Sequence, residues 1–560
     1  MGHGIETPPN VVLVIADDLT YGDLGCYGNT WSRTPHLDGL HGSSTRLERY
    51  CSGPLCTPAR ASLMTGRYPF RTRAIDTYCG RSMVDPDEVT LAQVLQNAGY
   101  ATCLSGKWHL GDCHPMRPID LGFDESLMHN GGGLHQPNNP WHWDDPPGDG
   151  YVDPMLSRNG VFERVRGYCT DIFAEHTIGF IEAHRDRPFF TYLATNAPHT
   201  PCVCPDEWAD RYRELGFDDD TAQLYGMVDN LDHNVGRVLE TLERLDLADQ
   251  TIVIFTSDHG AQPVSHRLPP GHPNRLRFNA GLRGGKGTMY DGGIRTPCFW
   301  RWPGRFAPGR AVTRVANPID YLPTVASACG AAVPTDRVID GVDLIPVLDG
   351  SVSEAEWPER VCFMHWHRGD EPVRGRNAAV VGDRWKWYRP REDAPPELYD
   401  TAADPGESRD LAPEEAGRVA AMGDLYDAWF DEVCRTRPDN FAPPRIRIGT
   451  PHEPRTMLSR TDWRVEGEDG WSDAHAGRWH VTFATEGTYS AEVLFTPGPS
   501  AGRVRLTIGS ATFESEAPGG CSSVVFEGLA VAAGDAKIGA EVEREEERLS
   551  ARLVAIERDA

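Results

Sequence analysis

Two runs of uninterrupted apolar residues limit the folds open to this chain. Val11-Val12-Leu13-Val14-Ile15-Ala16 ends in Asp17-Asp18, and Thr251-Ile252-Val253-Ile254-Phe255-Thr256 ends in Ser257-Asp258-His259-Gly260. A strand with one wet face alternates apolar with polar residues. A strand that is apolar throughout is buried on both faces, as in a parallel sheet between helical layers. Phe189 to Ala194 and Tyr100 to Leu104 read as further strands, while apolar residues from Leu224 to Leu245 recur at helical spacing. Leu91, Val94 and Leu95 mark another helix, stopped by Gly99. This alternation predicts an α/β fold with a mainly parallel sheet flanked by helices. Such sheets collect ligands at the carboxyl ends of their strands. Asp17, Asp18, Asp258, His259 and the segment leading to His199 all fall at such ends.

Three carboxylates meet an imidazole at one sheet edge, and like-charged carboxylates so close are costly unless a cation is present. An oxygen-rich donor set suits calcium or magnesium, although the nitrogen of His259 is less typical of calcium. A second feature is Cys56-Thr57-Pro58-Ala59-Arg60, which continues through Thr65-Gly66-Arg67. Pro58 suits the first turn of a helix and Gly66 its stop. The cysteine is therefore expected just outside a helix N-terminus, where backbone N–H groups and the helix dipole favour an anion. Arg60, about one turn in, can fork onto an oxyanion. Only four lysines occur, and two of them stand in Gly106-Lys107-Trp108-His109 and Gly284-Gly285-Lys286-Gly287. That placement points to a role in neutralising an anion rather than a solvated surface.

The stretch from Cys56 to Arg67 resembles the sulfatase signature. Gly99-Tyr100-Ala101-Thr102, with Gly106-Lys107-Trp108-His109-Leu110-Gly111, resembles the second signature of that family. The likeness extends from about residue 10 to about residue 410. It implies an arylsulfatase-like protein of the alkaline phosphatase superfamily, with an alkaline-phosphatase-like fold. It also implies oxidation of Cys56 to formylglycine (3-oxoalanine) by a formylglycine-generating maturation enzyme. A calcium ion, with magnesium as the alternative, would be held by Asp17, Asp18, Asp258, His259 and an oxygen of residue 56. Arg60, Lys107 and Lys286 would neutralise the sulfuryl oxygens, His199 would protonate the leaving alcohol, and His109 would assist breakdown of the intermediate. Asp258 would also take the nucleophile's proton. The aldehyde hydrate explains the need for oxidation: one hydroxyl attacks sulfur, and the other lets the ester collapse with loss of sulfate. The implied reaction is hydrolysis of a sulfate monoester, a sulfated saccharide first and an aryl sulfate second. Phosphonate monoester or phosphodiester hydrolysis on the same fold is the alternative, and a non-catalytic glycan-binding protein is the second alternative.

Asn130-Gly131-Gly132-Gly133-Leu134-His135, followed by Trp141-His142-Trp143, has the composition of a binding loop at the pocket mouth or, equally, of a packed Ω-loop. His365-Trp366-His367-Arg368 comes from a C-terminal region that overhangs the site in sulfatases. Substrate contacts are assigned to His135, Trp141, Trp143, Arg283, His365, His367 and Arg368.

The expected organisation is a catalytic α/β domain over 1–355 and a subdomain over 356–436, a small antiparallel sheet plus a helix. A Pro- and Arg-rich linker over 437–454 and a β-sandwich over 455–560 follow. Packing onto the catalytic domain is the plain role for that sandwich, and Trp463 and Trp471 suggest an exposed sugar-binding face as the alternative. The net charge of −27 argues against non-specific binding to nucleic acid. The first residues hold no apolar run long enough for a signal segment or membrane span, which predicts a cytoplasmic protein, or an exported one if a leader is missing. Fourteen cysteines occur without a CxxC pair and read as mostly reduced and buried.

Overall fold

The computed structural model describes residues 8–134, 149–262, 277–366, 368–369, 371–439, 441–465, 475–545 and 547–559. Ten strands form the main sheet: β1 (Asn10–Ala16), β2 (Thr45–Leu47), β3 (Ala101–Lys107), β4 (Glu125–His129), β5 (Met155–Arg158), β6 (Val161–Arg164), β7 (Phe189–Ala194), β8 (Thr251–Ser257), β9 (Cys298–Arg301) and β10 (Ala311–Val312). Their order is β10-β2-β9-β8-β1-β7-β3-β4-β5-β6. The five central strands β8-β1-β7-β3-β4 run parallel, and antiparallel pairs flank them at β8–β9 and β4–β5.

Every residue of β1, β3, β7 and β8 is buried, for a reason visible in the two cores. Leu13, Ile15, Leu104 and Ile254 pack on one face with the helices Cys56–Thr65, Leu91–Asn97 and Tyr321–Cys329. Val12, Val14, Leu193 and Phe255 pack on the other with Cys169–Ala183 and Asp219–Arg244. Alternate side chains thus meet different helical layers, and a polar side chain here needs a partner inside the protein, as Thr102 has in Gly122 O and Thr251 in Leu247 O. β3 is longer than its apolar stretch. Ser105 and Gly106 continue it by pairing with both neighbours, and Lys107 by pairing with β4.

The small sheet comprises β11 (Cys362–His365), β12 (Ala378–Val381), β13 (Trp385–Arg389) and β14 (Glu397–Asp400), all antiparallel. The helix Ala416–Val433 covers it through Met422, Tyr426, Trp429 and Phe430. The sandwich contains β15 (Ile446–Ile448), β16 (Arg455–Ser459), β17 (Arg464–Val465), β18 (Gly477–Phe483), β19 (Gly487–Leu494), β20 (Gly502–Ile508), β21 (Ala511–Ala517), β22 (Ser523–Val531), β23 (Gly534–Arg544), β24 (Glu547–Ser550) and β25 (Leu553–Arg558). Its sheets run β15-β18-β23-β20-β21 and β16-β25-β19-β22.

Two expectations change here. The stretch 437–454 is not only a linker: β15 pairs in parallel with β18, and Ile446 and Ile448 are fully buried. The short Ile-Arg-Ile alternation is hidden in sequence by its Pro- and Arg-rich flanks. Trp463 is not an exposed sugar platform. It is 1% exposed, 5.7 Å from Trp479 and covered by Arg460. Trp471 lies outside the described residues. All fourteen cysteines are free thiols, nine of them buried. No helix among the described residues is long and apolar enough to cross a membrane.

Candidate active site

Register assembles the site. Ala16 pairs with Ser257, so the Asp17-Asp18 and Asp258-His259 pairs leave the sheet side by side. Asp17 N donates to Ala197 O at 3.0 Å, which brings in the segment carrying His199. β3 delivers Lys107 at its last position. The helix Cys56–Thr65 is entirely buried and starts with the cysteine itself. Leu55 is the extended N-cap, and Gly66 closes the helix at φ 70°. Cys56 is therefore the first helical residue rather than the one before it, and Pro58 falls within the first turn.

The Cys56 Sγ lies 3.1 Å from His259 Nε2 and 3.8 Å from Asp17 Oδ1. Lys107 Nζ donates to Asp17 Oδ2 at 2.6 Å, and Lys286 Nζ donates to Asp18 Oδ1 at 2.7 Å. Arg60 directs Nε to Asp258 Oδ2 at 3.0 Å and Nη1 to the Lys107 carbonyl at 3.0 Å. His199 Nδ1 donates to Thr200 O at 2.6 Å, leaving Nε2 3.9 Å from Asp18 Oδ2. His109, at φ 57°, donates from Nε2 to Thr77 O at 2.9 Å. Apart from Lys286, none of these side chains belongs to a residue more than 4% exposed.

Burial alone would keep the Cys56 thiol protonated. Lys107, Lys286 and His259 outweigh it and hold the thiol well below its ordinary range. Asp18 is also held low, with Lys286, His199 and His259 overcoming desolvation. Burial depresses His259, but Asp258 and the sulfur prevail and raise it to about 9. Burial pushes His109 down. Asp17, Asp18 and Asp258 are matched one for one by Arg60, Lys107 and Lys286.

The donor set fits a divalent cation. Asp17, Cys56, Asp258 and His259 offer ligand atoms all within 4.8 Å of one another, and Asp17, Asp18 and His199 form a second such group. Asp18 Oδ2, fully buried, has no hydrogen-bond partner among the described residues.

The sulfatase family model matches residues 9–331, more than half of the chain. This protein belongs to the sulfatase family. A model described as N-sulphoglucosamine sulphohydrolase, C-terminal, matches residues 285–422. The chain is 33% identical to mouse (Mus musculus) steryl-sulfatase, with 78% of this chain and 84% of the relative aligned. It is 34% identical to human (Homo sapiens) arylsulfatase A, over 74% and 86% of the two chains. The crystal structure of Ps i-CgsB in complex with k-i-k-neocarrahexaose superposes with a TM-score of 0.66 at 28% identity, covering 76% of this chain and 93% of that one. The protein is thus a sulfuric ester hydrolase of the alkaline phosphatase superfamily, a family that employs a metal ion and formylglycine.

Several residues of this sulfatase stand differently from expectation. Arg60 is fully buried: Nε donates to Asp258 and Nη1 to the Lys107 carbonyl, while Nη2, 2.9 Å from Asp258 Oδ2, makes no hydrogen bond among the described residues. Asp258 gives Oδ2 to Arg60, and the ligand atoms of Asp258, Asp17 and His259 all lie within 4.8 Å of the Cys56 sulfur. Arg283 stacks on Tyr290 at 3.9 Å and donates to Tyr399 Oη and Glu407 O, fastening the α/β domain to the small sheet. His365 is 5% exposed, 2.9 Å from Tyr426 Oη and stacked on Phe430, so it belongs to a core. Arg368 keeps an open face. It lies 4.2 Å over Tyr78 and 3.6 Å from the buried carboxylate of Asp76. Asp76 also accepts from Trp366 Nε1 at 3.1 Å. His135, Trp141, Trp143 and His367 lie outside the described residues. Sequence reasoning missed the loop Asp76-Thr77-Tyr78, which has no motif and whose contact with His109 is made by a backbone carbonyl. It also missed Tyr192, a core residue of β7 whose hydroxyl reaches Arg60 at 3.5 Å.

Proposed function

We propose that this sulfatase hydrolyses a sulfated saccharide, using a formylglycine made from Cys56 and a calcium ion. The observation that carries the reading is the Cys56 Sγ at a buried helix start, encircled by Asp17, Asp258 and His259 and balanced by two lysines. Formylglycine supplies an oxygen nucleophile with a built-in route of release, and a hard divalent cation supplies positive charge at the sulfuryl oxygens. Calcium is favoured over magnesium because the carboxylates are nearly inaccessible to solvent, whereas magnesium tends to keep several of its waters.

The chain's own residues divide the remaining work. Lys107 and Lys286 orient Asp17 and Asp18 and keep positive charge beside residue 56. Arg60 holds Asp258 in place. His109 donates its Nε2 proton to Thr77 and is kept neutral by burial, so its Nδ1 is bare and able to accept a proton. His199 donates Nδ1–H to Thr200, which frees Nε2 to protonate a leaving alcohol, with Asp18 near enough to stabilise the imidazolium. The ledge of the half-buried Trp366 and the exposed Arg368, laid over the buried Tyr78, offers an aromatic side chain beside a cation, which suits a sugar ring bearing a further anionic group. The oligosaccharide bound to Ps i-CgsB supports the same substrate class.

The test is a panel of sulfated mono- and disaccharides beside an aryl sulfate and an aryl phosphonate. The saccharides should give the highest kcat/KM, and Cys56→Ser should fold normally yet lose turnover on every ester. Wild-type rates from Cys56→Ser would overturn the nucleophile assignment. A preference for the phosphonate would overturn the substrate class.

A further inference from the structure

The C-terminal sandwich is built into the loops that carry His109. Its hydrophobic core is continuous with Met83, Cys113 and Met116 of the α/β domain. Hydrogen bonds cross the seam at several points. Gly80 N donates to Thr461 O at 2.8 Å, and Arg447 N donates to His114 O at 2.9 Å. Cys113 Sγ donates to Met457 O at 3.3 Å, and His114 N donates to Glu453 Oε2 at 3.2 Å.

These contacts fall on two segments. One runs directly on from Lys107-Trp108-His109, and is braced by the Trp108 indole donating to Met116 O at 2.8 Å. The other is a closed turn. Ile75 N and Asp76 N both donate to Arg81 O, at 3.0 and 3.2 Å, and Arg81 N donates to Tyr78 O at 3.1 Å. Inside that turn sits Thr77, whose carbonyl receives His109 Nε2–H. The sandwich reaches the turn at Gly80, where φ is 68°. A Cβ at this position would lie 2.8 Å from Arg464 Cδ and 3.1 Å from Asp462 O. Only glycine allows an approach this close.

We propose that the sandwich is a positioning element of the active site. By seating Gly80 against Thr461–Arg464 it fixes the Thr77 carbonyl, and with it the ring of His109. Thr461 and Arg464 are positioning residues that act through His109, and the inference rests on His109 taking part in turnover as read above. A buried ring held by a single acceptor must have that acceptor fixed if its other nitrogen is to meet the reacting group.

The test uses the full-length protein with Gly80→Ala, Arg464→Ala and the double variant. Turnover of 4-nitrophenyl sulfate is measured together with hydrogen exchange over 75–81 and 107–113. Gly80→Ala should speed exchange in both segments and lower kcat at least fivefold with KM changed less than twofold. Arg464→Ala, which removes the sandwich's side of the contact, should act in the same direction, and the double variant should lose no more kcat than the larger single loss, because both changes break one contact. If Gly80→Ala does not accumulate as folded protein, Arg464→Gly carries the test from the sandwich side, with the same loss in kcat expected. Faster exchange with unchanged kcat, or a rise in KM alone, would overturn the proposal, as would exchange that does not change. If wild type turned over no sulfate ester while the variants still loosened both segments, the seating would stand and the functional reading would fall.

Discussion

At the scale of single residues, burial decides what a charge can do. Arg60 has the type and spacing of an anion-binding arginine, but with no solvent access it serves as the counter-charge of Asp258. Breaking a buried pair leaves one charge uncompensated, at a cost of roughly 3–5 kcal/mol. Arg60→Met should therefore lower unfolding free energy by about that amount, read by denaturant titration, and reduce turnover by more than about 100-fold. A variant of wild-type stability would mean that Arg60 does not hold Asp258. Asp17, Asp18, Cys56, Lys107, Asp258 and His259 were legible in the sequence because each stands at a strand end or a helix start. Which of them touch was not. The Arg60–Asp258 contact spans 198 positions and depends on strand order and register.

Elements were legible where the pattern carried the burial. The runs ending at Ala16 and Thr256 became β1 and β8, and the helical spacing from Leu224 became the helix Asp219–Arg244. β21 and β23 were not foreseen. β21 is a largely exposed edge strand with no apolar face to read, and β23 is interrupted by Gly539 and charged residues. Trp463 shows the opposite error: an aromatic in a polar stretch reads as exposed, whereas here it fills the sandwich core beside Trp479. Trp463→Ala should cost about 3–5 kcal/mol of stability, as is usual for emptying a large core site. It should leave affinity for sulfated polysaccharide unchanged in a gel-retardation assay. Lost affinity with unchanged stability would restore the sugar-platform reading.

At the scale of the whole molecule, the seam between the α/β domain and the sandwich holds buried carboxyls. Asp112 accepts from Gly131 N with both oxygens, at 3.0 and 2.9 Å. Burial pushes its carboxyl up to about 7, with Glu453 adding to the shift and Gly131 N opposing it. Asp462 is raised well above its ordinary range by burial and by Asp112. The unfolded chain ionises Asp112 near 3.8, whereas the folded one keeps the proton until about 7. The contribution of Asp112 to stability is thus greatest below about pH 4. Stability falls as pH rises through that window, on the order of 1 kcal/mol per unit, and then levels off. Asp112→Asn removes the titration. Its Tm should exceed that of wild type at pH 8, and the gap should narrow towards pH 4 in a thermal scan series. A gap independent of pH, or a less stable variant at pH 8, would contradict this.

The central claim is that residue 56, once oxidised, is the group on which turnover depends. The most direct measurement sets turnover per protein molecule against the fraction of the Cys56-containing peptide that is lighter by ~18 Da, across preparations matured to different extents. The account predicts a straight line through the origin. Full activity from a preparation whose Cys56 peptide keeps the mass of the unmodified thiol would contradict it.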